Sequence, residues 1–151
     1  MPATAALLAC RMLQWEPPAF EQPFELWRDE GVLHLVLLEG AQLQPKVMKE
    51  MIRLVAAMDA TGRVPVLIDH APGVAVDDSA RALLVRVCRA QGHPVAMYTA
   101  NPQCRGQLEF FRQVHRPRFP FRVFDSRNEA WRWARERLQI EAVRNAVKAR
   151  L

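Results

Sequence analysis

One stretch, Val64 to Val87 (VPVLIDHAPGVAVDDSARALLVRV), restricts the fold of this chain more than any other. Val64-Pro65-Val66-Leu67-Ile68 is a nearly continuous apolar run, the pattern of a strand covered on both faces. The run ends in Asp69-His70 and passes through a turning loop. It resumes as a helix that opens on Asp77-Asp78-Ser79 and turns Leu83, Leu84, Val87 and Cys88 inward. A doubly covered strand followed directly by a helix belongs to a parallel α/β sheet.

The flanking segments extend this grammar. Phe24 to Trp27 and Val32 to Leu38 read as two strands, and Asp29-Glu30-Gly31 between them signals the turn of a β-hairpin. After Gly40 the period changes. Pro45 suits a first helical turn, and Val47, Met48, Met51, Ile52, Val55 and Met58 recur at helical steps until Thr61-Gly62. Pro94 to Thr99 is a further strand. Asn101-Pro102 caps and starts a helix bearing Leu108, Phe111 and Val114. Phe121 to Phe124 is a last short strand, and Ser126 with Glu129 makes a capping box for a final helix. The order β-β-α-β-α-β-α-β-α predicts an α/β fold: a mixed, mostly parallel sheet of about five strands with an opening antiparallel hairpin.

The final helix has no glycine or proline from Arg127 to Leu151. Trp131, Ala134 and Leu138 can face the sheet, whereas Trp133, Ile140, Val143, Val147 and Leu151 lie off that face. This second stripe is either a frayed tail or a surface buried in a homodimer. The organisation is therefore an N-terminal extension (1–22), a domain (23–138) and a C-terminal helical tail (139–151).

A chain of 151 residues can bury one core. It has no apolar run long enough to cross a bilayer. Cys10, Cys88 and Cys104 are odd in number and widely spaced, unlike a disulfide framework or a zinc site, and they suggest a reducing compartment. Leu7-Leu8-Ala9-Cys10 loosely resembles a lipoprotein cleavage box. Met1 to Ala6 carries no Lys or Arg, however, and Arg11 falls on the wrong side, so a cytoplasmic location is expected. The net charge of +5 makes an anionic partner conceivable.

Three groups of residues could carry chemistry. The start of the second helix offers free N–H groups and the positive dipole end to an anion, although Asp77, Asp78 and Ser79 are also ordinary capping residues. Asp69 and His70 with Ser79 contain the parts of a hydrolytic triad. Adjacent side chains diverge from a strand end, though, and no Gly-x-Ser-x-Gly elbow is present, so Asp69 is expected to bond the following loop. Arg112, His115, Arg116, Arg118 and Arg122, near Phe110 and Phe119, could hold phosphate or an acidic protein, or could be a solvated surface. Nucleic acid would also suit such a mixture, but nothing else in the sequence favours it. His34, His70, His93 and His115 lack metal-site spacing, and no glycine-rich phosphate loop occurs, so neither metal nor cofactor is expected.

The element order and the loop from Asp69 into Asp77-Asp78-Ser79 resemble the STAS domain, the fold of anti-sigma-factor antagonists. In that family a buried strand ends in an aspartate. A loop then brings an Asp-Ser-Ser-Gly-like motif to a helix N-terminus, where one serine is phosphorylated by a partner kinase. The resemblance places Asp69 at the strand-end aspartate and Asp77 at the first motif position. Asp78 stands where the phosphorylated serine would be, Ser79 next, and Ala80 where glycine is usual. The second half is similar to a STAS-like group of small bacterial proteins, sometimes likened to lipid-transfer folds. That similarity lies in Pro94 to Tyr98, Asn101-Pro102, Phe110-Phe111, Arg118 to Phe124 and Asn128 to Trp131. Together these segments span Phe24 to Leu138.

The resemblance implies a non-enzymatic regulatory module that binds a protein partner through Asp69, Asp77, Asp78 and Ser79; the arginine group separately offers Arg112, Arg116 and Arg118 as anion-binding candidates. The alternative is a carrier of a small apolar or lipid-like anionic ligand, its cavity lined by Met48, Met51, Met97, Phe110 and Phe111. At helical spacing such methionines are otherwise core filler.

Overall fold

A two-residue turn sets the first pair of strands. In the computed structural model, which describes residues 22–150, Glu30 and Gly31 both have positive φ, 48° and 81°. Two left-handed residues form a type I′ turn, whose twist matches that of the strands it joins. It links β1 (Phe24–Asp29) to an antiparallel β2 (Val32–Leu37) and places Trp27 opposite His34.

From β2 onward every strand of the main sheet is parallel to its neighbour. The chain runs through α1 (Pro45–Met58), β4 (Val66–His70), α2 (Asp78–Cys88), β6 (Val95–Tyr98), α3 (Pro102–His115), β7 (Phe121–Phe124) and α4 (Arg127–Arg150). The five-stranded sheet has the order β1-β2-β4-β6-β7. This is the predicted mixed sheet with its antiparallel opening hairpin. Each crossover moves to the next strand on the same side, and right-handed connections therefore place α1, α2 and α3 on one face. The other face is left for α4.

Strand alternation divides the core accordingly. Leu33, Leu35 and Leu37 of β2 join Phe24, Leu26, Val66, Met48, Met51 and Ala80 beneath α1 and α2. Val32, Leu67, Ala96 and Phe124 meet Ala130 and Ala134 of α4. Both alanines are wholly buried, which lets the helix backbone approach the sheet closely.

The structure departs from the sequence reading in several places. A separate parallel pair, β3 (Gln42–Leu43) and β5 (Ala75–Val76), lies in the loops after β2 and β4. Two-residue strands carry no periodicity, so only the pairing reveals them. α1 ends at Met58 rather than at Thr61-Gly62, because the Asp59 carboxylate takes over the next turn. It accepts hydrogen bonds from the backbone N–H groups of Thr61, Arg63 and Val64 and from the Thr61 hydroxyl. β4 starts at Val66, not Val64.

Val87, expected inward, is 36% exposed, and Val114 of α3 is 55% exposed. α2 packs chiefly beside α1. α3, at about 1.5 Å per residue, outruns the four-residue edge strand β7 that it lies against, and none of its side chains is fully buried. Trp133, expected off the sheet face, packs against Phe124 with ring centroids 5.9 Å apart. α4 continues without a break through the expected boundary after Leu138. The N-terminal extension up to Glu21, with Cys10, and Leu151 at the other end lie outside the described residues.

Candidate functional site

In open parallel sheets a ligand crevice forms at the carboxyl ends of the strands where the strand order reverses. Among the described strands the order never reverses, so the strand order itself supplies no such crevice. The carboxyl end of β4 shows how the residues divide. Asp69 points toward α4, where its Oδ2 lies 3.5 Å from Nη1 of Arg127. It therefore pairs with the first residue of α4 instead of bonding the loop that follows β4, because its place in the alternation aims it at the α4 face.

His70 points to the opposite face, and its Nδ1 lies 3.2 Å from Sγ of Cys104 in the first turn of α3. Burial is the main cause that lowers the His70 pKa below 6.5, and hydrogen bonds to the backbone of His70 and Ala71 oppose it. The divergence leaves no Asp69–His70–Ser79 relay. Asn101 Oδ1 accepts from the Cys104 N–H at 3.1 Å, the predicted cap, and this fixes the turn that presents the thiol.

The predicted switch residues stand apart from this pair. Asp77 is the N-cap of α2, with extended φ and ψ of −70° and 156°, yet its carboxylate makes no capping hydrogen bond. Its backbone is anchored instead: the N–H donates to Leu43 O at 3.2 Å, and the C=O accepts from Arg81 N at 2.8 Å. The β3–β5 pair thus holds this helix end. Asp77 holds the cap position and Asp78 and Ser79 the first turn, as expected, but the backbone rather than a side-chain capping bond from Asp77 orders this end. The Asp78 side chain is fully exposed, with Nη1 of Arg81 at 3.6 Å. Ser79 is exposed, and Ala80 beneath it is wholly buried. Asp77, Asp78 and Ser79 therefore form one surface, and Asp69 is not part of it.

The arginine group of the sequence also divides. Arg116 has φ of 44° and closes α3 with a left-handed cap, its N–H donating to Arg112 O. Arg112 pairs with Glu109 at 2.9 Å, so its charge is partly spent. These two arginines border a depression of about 510 Å³ beside Phe119 and Phe121. Arg118 lies across Phe119 in a different cleft of about 460 Å³. Arg122 leaves both and stacks over Phe124 on the α4 side, 5.2 Å from the ring centroid.

That second cleft was missed by sequence reasoning. It lies at the amino ends of β4, β6 and β7, and Arg63, Arg137, Arg144 and Lys148 line it together with Arg118. Its cations come from two loops and one long helix, and no local motif marks them as neighbours. The candidate carrier residues do not converge. Met48, Met51 and Met97 are packed in the core, whereas Phe110 is 67% exposed on α3.

Among the described residues no group of three or more His, Cys, Asp or Glu side chains could hold a metal ion. No described helix is long and apolar enough to cross a membrane. Residues 26–150 match a family model described as a domain of unknown function, DUF7793. No curated protein and no solved structure matches the chain.

Proposed function

The chain belongs to that family of domains of unknown function, and from its own geometry we propose a non-catalytic, STAS-like regulatory module that binds a protein partner through the first turn of α2. One observation carries this reading. Asp77, Asp78 and Ser79 are all exposed on an anchored helix end, and Asp77, the cap residue, spends no side-chain hydrogen bond on capping. A fixed helix N-terminus displaying two carboxylates and a hydroxyl suits a partner with arginine-bearing or hydrogen-bond-donating groups. Ser79 is then the residue a kinase would modify. Its phosphate would sit at the positive end of the helix dipole but beside the permanent charge of Asp78, which places part of the switch charge there already.

Crosslinking capture from cells that express the protein tests this. A partner should be recovered with the wild type and with Glu129→Gln, and lost with Asp78→Lys. Equal recovery with folded Asp78→Lys overturns the assignment. The reading places the module in the cytoplasm. Ile140, Val143 and Val147, 38%, 63% and 53% exposed along α4, are its proposed homodimer surface. A Val143→Glu variant should then elute as a monomer where the wild type elutes as a dimer. An unchanged elution volume removes that part of the proposal.

A further inference from the structure

We propose that the cleft at the amino ends of β4, β6 and β7 is a binding site for a small diffusible molecule carrying at least two phosphate groups. It lies at the other end of the sheet from the α2 surface and does not rest on the role given to that surface.

The charge balance of the cleft is one-sided. Arg63 enters from the loop before β4, Arg118 from the loop before β7, and Arg137, Arg144 and Lys148 from along α4. Among the described residues the only carboxylate in the lining is Glu141, with Nη1 of Arg144 at 3.4 Å. At the opposite end of the sheet the balance differs, for Asp69, Asp78 and Asp125 each have an arginine within 3.6 Å. Five cations gathered around a concave space repel one another unless an anion or solvent ions compensate them.

The guanidinium groups are also incompletely used. Arg63 donates to the neutral Oδ1 of Asn145 at 2.9 Å, and Arg118 donates to the backbone O of Arg89 at 3.4 Å. Neither contact neutralises charge. Nε of Arg137 is buried and has no hydrogen-bond partner, while the guanidinium lies 5.8 Å from the Trp133 ring. An unpaired buried donor on a cation costs stability unless a further group meets it.

Three features fit the site to a small ligand rather than a broad surface. The cleft holds about 460 Å³, within the range of small-molecule sites. Its walls are positioned: the four hydrogen bonds to Asp59 shape the Thr61–Val64 loop, and the Arg63–Asn145 contact ties α4 to that loop. Finally, arginine forks match phosphate oxygens in pairs, and an array of four arginines and one lysine exceeds what a single phosphate needs.

The test uses the full chain and inorganic pyrophosphate as the probe, followed by titration calorimetry at low ionic strength. One-to-one binding that weakens as salt is raised is expected. Arg63→Gln and Arg118→Gln, both at exposed residues, should each weaken it by about tenfold while the domain stays folded. Arg112→Gln, in the neighbouring depression, should leave it unchanged. Absence of saturable pyrophosphate binding overturns the proposal, as does equal loss from Arg112→Gln and Arg118→Gln. Binding of phosphatidate vesicles or a single-stranded oligonucleotide without binding of pyrophosphate also overturns it, in favour of a membrane or nucleic-acid surface.

Discussion

Trp27 and His34 stack across the opening hairpin, ring centroids 5.3 Å apart and planes within 5°. Trp131 of α4 also packs on the imidazole, tilted, with ring centroids 5.0 Å apart. The imidazole is 7% exposed, and its Nε2 has no hydrogen-bond partner. Burial is the main cause that lowers its pKa, with Arg127 acting in the same direction and Asp29 and Asp69 opposing.

Acidification should therefore destabilise the domain through His34. The unfolded imidazole takes a proton near 6.5, whereas the folded one does so only at lower pH. Below about 6.5 the unfolded chain binds more protons, and stability falls as the pH drops. His70 contributes in the same direction. Thermal melts between pH 7.5 and 5 should show a falling midpoint, and His34→Phe should flatten that fall in part. At pH 7.5 the same variant should match or exceed the wild type, since it keeps the aromatic stack and removes an unsatisfied nitrogen. A steeper pH dependence in His34→Phe would falsify this account.

Asp59 should add a second, lower acid step. Burial alone would raise its pKa. The hydrogen bonds from Thr61 and Val64, helped by His93, pull it below 3.8 instead. Its stabilising contribution is complete above about 3.8 and is lost as the pH falls further. Asp59→Ala should cost about 2 kcal/mol in urea denaturation at pH 7, because several backbone donors lose their acceptor. A loss well under 0.5 kcal/mol, on the order of a surface substitution, would show that the loop holds without the carboxylate.

The type I′ turn separates two effects at neighbouring positions. Gly31→Ala should destabilise the domain by roughly 1–2 kcal/mol. It places a side chain at φ of 81°, and its Cβ would meet Leu138 Cδ1 at 3.2 Å. Glu30→Asn should be neutral or stabilising by a few tenths of a kcal/mol, since asparagine tolerates the left-handed region better. The exposed Glu30–Arg135 pair that it removes, at 3.1 Å, contributes little. Denaturation midpoints that move in the opposite order would rule out the turn as the cause.

Cys104 should be the more reactive of the two described thiols. It is half-buried with His70 beside it, whereas Cys88 is 4% exposed and burial pushes its pKa up. A neutral imidazole at 3.2 Å can accept the thiol proton. Mass mapping of iodoacetamide adducts at pH 7.5 should find Cys104 modified well before Cys88. His70→Ala should slow Cys104 by about threefold or more while leaving Cys88 unchanged. An unaltered Cys104 rate would mean that the imidazole plays no part in its reactivity.

The element order and sheet class were legible in the residues because their signals are local. A left-handed pair at Glu30-Gly31, a cap and proline at Asn101-Pro102 and the apolar run before Asp69 each act within a few neighbouring positions. Strand alternation already separated Asp69 from His70. What each side chain meets depends on crossovers that return the chain to the sheet dozens of residues later. Only the tertiary structure could pair Asp69 with Arg127, bring Cys104 to His70 and divide Arg118 from Arg112. The cleft is the clearest case. Arg63 and Lys148 stand 85 residues apart in the sequence, and they line one space because parallel strands begin at a common edge along which the end of α4 passes.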